Sequence, residues 1–158
     1  MAAKRTIGVI SDTHGLVRPE VHQAFRGVEL ILHAGDIGSP EVLKELESIA
    51  PVTAVRGNND KGAWARKIRE RERIRVPAIR ICMIHDVKEF TQPRDVKECD
   101  VVISGHSHRP SIETRDGILF LNPGSAGPRR FSLPVTVAKL VVRGAIVHAE
   151  IVELWRPC

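Results

Sequence analysis

Five short apolar runs in this chain each end in residues that can bind a metal ion. Residues 7–10 run into Asp12 and His14, 30–32 into Asp36, 52–55 into Asn58, 79–84 into His85, and 101–103 into His106 and His108. One such ending would carry little information. Five in the same local context predict strands whose carboxyl ends converge on one ionic site, the place where open α/β sheets bind their ligands. The donors mix imidazoles with hard oxygen ligands, a set that suits Mn, Fe or Zn.

The rest of the pattern alternates. Residues 6–10 read as a strand, followed by a helix over 19–25 with Pro19 in its first turn. Residues 30–33 form the next strand; then Ser39 as N-cap, Pro40 at the first helical position and Glu41 in the first turn open a helix to Ile49. After the strand over 52–55, hairpins take over. Residues 73–76 and 79–84 flank Pro77-Ala78, 111–115 and 118–121 flank Asp116-Gly117, and 135–142 and 145–152 flank Arg143-Gly144. The first half therefore reads as βαβαβ with parallel strands and the second as mostly β.

At 158 residues, 42% hydrophobic and 27% charged, the chain can bury one good core, and a single domain over 1–158 is expected. With no Tyr and 4% aromatics, that core must come from Ile, Val, Leu and Ala. The polar start before residue 7 leaves no room for a signal peptide, and no apolar run approaches the length of a membrane span, so no membrane partner is expected. Cys82, Cys99 and Cys158 are odd in number and form no CxxC pair; they read as structural thiols of a reducing, cytoplasmic compartment. The net charge of +5 is concentrated between Arg66 and Arg75, where six basic residues meet two acidic ones without interleaved aromatics. Such a stretch reads as a solvated face, and a nucleic-acid partner is not expected.

Taken together, Asp12-x-His14, Gly35-Asp36, Gly57-Asn58, His85 at a strand end and Gly105-His106-Ser107-His108 resemble the ordered motifs of the calcineurin-like metallophosphoesterases. Asn122-Pro123-Gly124-Ser125 resembles a segment of the small bacterial and archaeal phosphodiesterase branch, which also includes the non-catalytic cargo-binding subunit of retromer. The resemblance spans residues 6–150. It implies a four-layer α-β-β-α sandwich, two mixed β-sheets flanked by helices, with a two-metal site.

By the same resemblance, Asp12, His14, Asp36 and His108 would hold one divalent transition-metal ion, and Asp36, Asn58, His85 and His106 a second, with Asp36 bridging. Mn is the expected metal, with Fe, Ni or Zn able to serve. A hydroxide held between the ions would attack a small phosphate-ester substrate in line, most simply a phosphodiester. The two alternatives are a metal-binding interaction scaffold without activity and a weak nuclease or nucleic-acid-binding protein.

Singly, each of these residues has a plainer structural reading, such as a turn cap for Asp12. His33 reads as packing or support behind the ligands, His22 and His148 as structural, and Asn122 to Ser125 as a tight turn, with shaping of the pocket floor as the alternative. Arg56, Arg129 and Arg130 read as solvated arginines beside turns, with a clamp on the substrate phosphate as the alternative. Two positions depart from the family pattern. Strongly catalytic relatives carry His where this chain has Asn59, so Asn59 and the following Asp60 are the candidate catalytic positions, with Asp60 orienting its neighbour. After His85 the family commonly has Gly-His, and here stand Asp86 and Val87.

Overall fold

The computed structural model describes residues 3–130 and 132–155; Cys158 lies outside them. The elements are β1 (Lys4–Ile10), α1 (Pro19–Ala24), β2 (Leu30–His33), α2 (Pro40–Glu47), β3 (Val52–Ala54), α3 (Ala63–Arg66), β4 (Arg71–Val76) and β5 (Ile79–Ile84). Two 3₁₀ turns follow, Val87–Glu89 and Pro93–Asp95, then β6 (Val101–Ile103), β7 (Ser111–Arg115), β8 (Ile118–Asn122), β9 (Val135–Arg143) and β10 (Ile146–Trp155). The strands build two mixed five-stranded sheets, ordered β10-β9-β1-β2-β3 and β4-β5-β6-β8-β7. In the first, β1, β2 and β3 are parallel; in the second, β5, β6 and β8 are.

The two sheets share one core. Ile7, Val9, Leu32, Ala138 and Leu140 of the first pack with Ile81, Met83, Ile103 and Leu121 of the second, all essentially excluded from solvent. Each such Ile or Leu contributes about 1.5–3 kcal/mol by burial. On the far face of the first sheet, Ile10 and Ile31 pack with Val21 and Phe25 of the α1 region and Val42 and Leu46 of α2. β1 is thus covered on both sides, which is why it reads as a continuous apolar run rather than an alternating one.

In α2, Pro40 takes the first turn and Val42 and Leu46, four apart, face the sheet. Ser39 occupies the N-cap position, but its side chain makes no capping hydrogen bond. The hairpin expected at Asp116-Gly117 forms there: both residues have positive φ, 51° and 77°, as a type I′ turn requires, and Arg115 pairs with Ile118. The β9–β10 turn falls one residue later than expected, at Gly144-Ala145, because Arg143 still pairs with Ile146.

On the outer face of the second sheet the helical cover is the pair of 3₁₀ turns, in a stretch that contains Pro93, and one expectation is corrected there. Beneath it Cys82 and Cys99 form a disulfide, with Val102, Phe90 and Phe120 around them. The thiol reading fails because β5 and β6 are parallel neighbours pairing Cys82 with Val102, which brings the turn before β6 back over Cys82 at a Cα separation of 5.9 Å. The basic stretch ends on β4, an edge strand whose Arg71, Arg73 and Arg75 are exposed while Ile74 and Val76 turn inward. Arg71 lies 5.1 Å over the Phe90 ring and 3.6 Å from Asp95. No described helix is long and apolar enough to cross a membrane.

Candidate metal centre

The carboxyl ends of β1, β2, β5 and β6 meet through their backbones. Asp12 N donates to Gly35 O at 2.9 Å, His14 N to Asp36 O at 3.0 Å, and Gly105 N to His85 O at 2.9 Å. Tight turns at these ends force unusual conformations. Seven described non-glycine residues have positive φ, and five of them are Asp12, His14, Asp36, His106 and His108. Left-handed backbone costs on the order of 1 kcal/mol or more per residue, so its concentration here marks a site that the surrounding structure holds against its own preference. Two glycines permit the closeness: a Cβ at Gly57 would overlap the Asp36 carboxylate, and one at Gly105 would overlap Ser11 Oγ and lie 2.7 Å from Asp12 Oδ2.

Asp12 is divided between two tasks. Its Oδ2 accepts from Ser11 Oγ at 2.7 Å and from His106 N at 3.1 Å. Its Oδ1 is buried without a hydrogen-bond partner and lies 3.3 Å from His108 Nε2, 3.9 Å from His14 Nε2 and 3.9 Å from His85 Nε2. Asp36 Oδ2 stands 3.3 Å from His85 Nε2 and 3.8 Å from His14 Nε2. The donor atoms of Asp12, His14 and His108 lie within 4.8 Å of one another, as do those of Asp12, Asp36 and His85.

Electrostatics follow from burial against pairing. Burial pushes the Asp12 carboxyl up, yet His108, His85 and Ser11 outweigh it and hold the group below the usual carboxylate range. Asp36 is likewise pushed up by burial and brought well below that range by His85 and by Asn59. Burial lowers His85, but Asp36, Asp12 and the Ala34 carbonyl leave it above its ordinary value; for His14 burial wins and the value falls. His33, fully buried behind the site, is pushed down to about 4 by desolvation.

Support from behind fixes the rings. His85 Nδ1 donates to Ala34 O at 2.7 Å, which leaves Nε2 facing the two carboxylates. Gly35 N donates to His33 Nδ1 at 3.1 Å, so His33 Nε2 carries the proton and donates to Thr13 Oγ1 at 2.9 Å; Thr13 Oγ1 in turn donates to Ile37 O at 2.8 Å. His33 therefore braces the β1 and β2 loops, as expected. His22 pairs with Glu45 at 3.0 Å, and His148 is exposed on β10, both away from the centre.

The remaining positions lie around this cluster. Asn58 and His106 line a cleft of about 210 Å³ together with Arg56, Gly57, Glu70, His85, Asp86 and Glu89. His106 is half-exposed, its Nε2 3.8 Å from Asp86 Oδ2 and its ring edge-on to His85 at 5.2 Å. Asn59 grips Asp36 twice, N to Oδ1 and Nδ2 to Oδ2, each at 2.9 Å. The Asp60 carboxylate accepts from the backbone N–H of Ile37, Gly38 and Gly57 at 2.9–3.1 Å, tying the Asp36 loop to the Asn58 loop. Of the arginines, Arg56 is bound to Glu70 at 2.6 Å, and Arg130 is near enough to His14 to depress its protonation.

Residues 122–125 prove to be more than a turn. Asn122 Nδ2 donates to Gly105 O at 3.0 Å and to Ser107 Oγ at 3.1 Å, and Ser125 Oγ donates to Asp12 O at 3.0 Å. They clamp the His106–His108 loop to the Asp12 loop, a role that only their position at the end of β8 could have suggested. Ser11, the direct partner of Asp12, has no sequence signal beyond adjacency.

Asp12 Oδ1, His14 Nε2, His85 Nε2 and His108 Nδ1 are buried polar atoms without a hydrogen-bond partner. Leaving such atoms unsatisfied costs about 1–3 kcal/mol each. An unpartnered carboxylate oxygen of Asp12 with His14 Nε2 and His85 Nε2 each 3.9 Å from it suits a divalent transition-metal ion. The residues present fit that group.

Comparison with known proteins agrees. Residues 6–144 match the calcineurin-like phosphoesterase superfamily domain. A probable metallophosphoesterase of Methanothermobacter thermautotrophicus is 40% identical over 163 residues, covering 96% of this chain and 94% of that one. Among solved structures, an archaeal phosphodiesterase superposes with a TM-score of 0.75 at 25% identity, over 93% of this chain and 99% of its own. Wild-type Vps29 of Entamoeba histolytica complexed with Zn²⁺ does so with a TM-score of 0.73 at 23% identity, over 94% and 99%.

Proposed function

The chain belongs to the calcineurin-like phosphoesterase superfamily, and from that premise we propose that it hydrolyses phosphate esters, phosphodiesters foremost, using two divalent transition-metal ions. The observation that carries this reading is the convergence of Asp12, Asp36 and the His14, His85 and His108 imidazoles at the strand ends, with Asp12 Oδ1, His14 Nε2 and His85 Nε2 unpartnered. Asp12, His14, Asp36 and His108 would hold the first ion, and Asp36, Asn58, His85 and His106 the second, with Mn the expected metal. When bound, such ions neutralise charge that builds on a phosphoryl group and acidify the attacking water.

The protein's own groups prepare for this. Asp36 and Asp12 stay ionised at any physiological pH, and the Ala34 carbonyl holds His85 in the tautomer that can ligate. Asn59 fixes both oxygens of Asp36 and has no ionisable proton to deliver to a leaving group, so no general acid stands at this position.

A metal-binding scaffold is the second reading, since the fold is shared with Vps29. Seven competent donor positions favour an enzyme over it. A nuclease is disfavoured by the cleft itself, whose only arginine is bound to Glu70 and which carries Asp86 and Glu89 besides. Elemental analysis of protein stripped and reloaded with Mn, paired with hydrolysis of a bis-aryl phosphodiester, tests the proposal. Two ions per chain and metal-dependent turnover are expected; full metal loading without turnover would establish the scaffold instead.

A further inference from the structure

We propose that the cleft beside the metal centre selects phosphodiesters whose non-leaving alcohol carries a positive charge, such as a quaternary amino alcohol, and rejects anionic ones, with Glu89 and Asp86 as the specificity-determining residues. This rests on the phosphoesterase reading above. The cleft, about 210 Å³, is walled on one side by Asn58, His85 and His106. His85 is buried with its unpartnered Nε2 turned to the centre and also lines the cleft, so this is space that opens directly from the candidate metal centre.

The lining of that space is acidic. Arg56, the only arginine or lysine lining the cleft, is spent on Glu70 at 2.6 Å. Glu89 and Asp86 have no comparable partner. Arg71 donates to the Glu89 backbone carbonyl at 3.5 Å and turns its charge to Asp95 at 3.6 Å. Asp86 Oδ1 accepts from Lys88 N at 3.1 Å, while its Oδ2 is 3.8 Å from His106 Nε2. The ammonium-bearing Lys88 side chain lines the neighbouring cavity, not this one. Metal ions would absorb the charge of the reacting phosphate, but an extra anion on the alcohol would sit against two carboxylates in a partly enclosed space. A cation there gains from the same groups.

Three esters that share a nitrophenolate leaving group isolate the effect, with choline, ethanol or glycolate as the second alcohol. Metal-loaded wild type is expected to rank kcat/KM as choline, then ethyl, then glycolate, with roughly three- to thirty-fold between the extremes at low salt. Glu89→Gln is expected to reduce that ratio several-fold, and Asp86→Asn to act in the same direction, with the metal content of both variants unchanged. Calorimetric titration of the loaded protein with phosphocholine, ethyl phosphate and phosphoglycolate gives the same ranking without turnover. If none of the esters is hydrolysed, the enzyme reading fails and the titration alone decides selectivity. A flat ranking in both assays, or one that persists unchanged in Glu89→Gln and Asp86→Asn, overturns the proposal.

Discussion

His85 Nε2 faces Asp36 Oδ2 at 3.3 Å while its other ring nitrogen is committed to the Ala34 carbonyl at 2.7 Å. A carbonyl can only accept, so Nδ1 carries a proton, and Nε2 meets Asp36 and Asp12 either as the second N–H of an imidazolium, which both carboxylates favour, or, without that proton, as a lone pair able to ligate a divalent ion. The hydrogen bond to Ala34 couples β5 to β2, and so one sheet to the other, at the centre.

The first prediction concerns that coupling. Asp36→Ala is expected to lose both metal ions, because Asp36 approaches His14 and His85 alike. Elemental analysis after reloading with Mn reads it; one undiminished ion per chain in the variant would show that Asp36 does not bridge.

Asp60 gives a second. Its oxygens accept three backbone N–H groups from the Asp36 and Asn58 loops. Asp60→Asn replaces one acceptor oxygen by a donor facing those amides, which is expected to cost about 1–3 kcal/mol in chemical denaturation and to weaken metal retention. An unaltered denaturation midpoint and metal content would show that the clamp holds nothing.

Stability is also expected to depend on pH through His33. Its folded value, about 4, lies below the ordinary 6.5, so the unfolded chain binds the extra proton first. The contribution is present in full above pH 6.5 and is lost as pH falls toward 4, by at most about 3 kcal/mol. His14, also depressed, acts in the same sense, and His85, raised, acts in the opposite sense. Both remain in His33→Gln, so the difference between wild-type and variant slopes between pH 7 and 5, in chelator, belongs to His33. Parallel slopes would contradict the assignment.

Much of this was legible in the sequence because each candidate ligand follows an apolar strand within a few residues. The β2, β5, β6 and β7 boundaries fall where hydrophobic runs and turn residues place them. What was hidden is what depends on partners distant in sequence. The Cys82–Cys99 bridge requires the parallel register of β5 and β6. The anchoring of Asp12 by Ser125 spans 113 residues, and the Arg56–Glu70 pair that strips the cleft of its free cation joins two loops. The short α3 carries too little periodicity, over four residues, to be seen.

Asn59 sets the fourth prediction. Without a general acid, worth about 10² to 10⁴ in rate, turnover is expected to fall steeply as the leaving group becomes more basic. Asn59→His is expected to flatten that dependence, helping poor leaving groups more than good ones. A series of aryl phosphodiesters on both proteins measures the slopes. A shallow wild-type slope would mean that another residue supplies the proton.

The central claim, that the strand-end cluster is a two-metal hydrolytic site, is tested most directly by turnover of a bis-aryl phosphodiester by stripped protein, by protein reloaded with Mn, and by Asn58→Ala and His106→Ala treated identically. Turnover is expected only in the reloaded wild type, with each variant lower by orders of magnitude. Equal rates with and without chelator, or full activity in both variants, would contradict it.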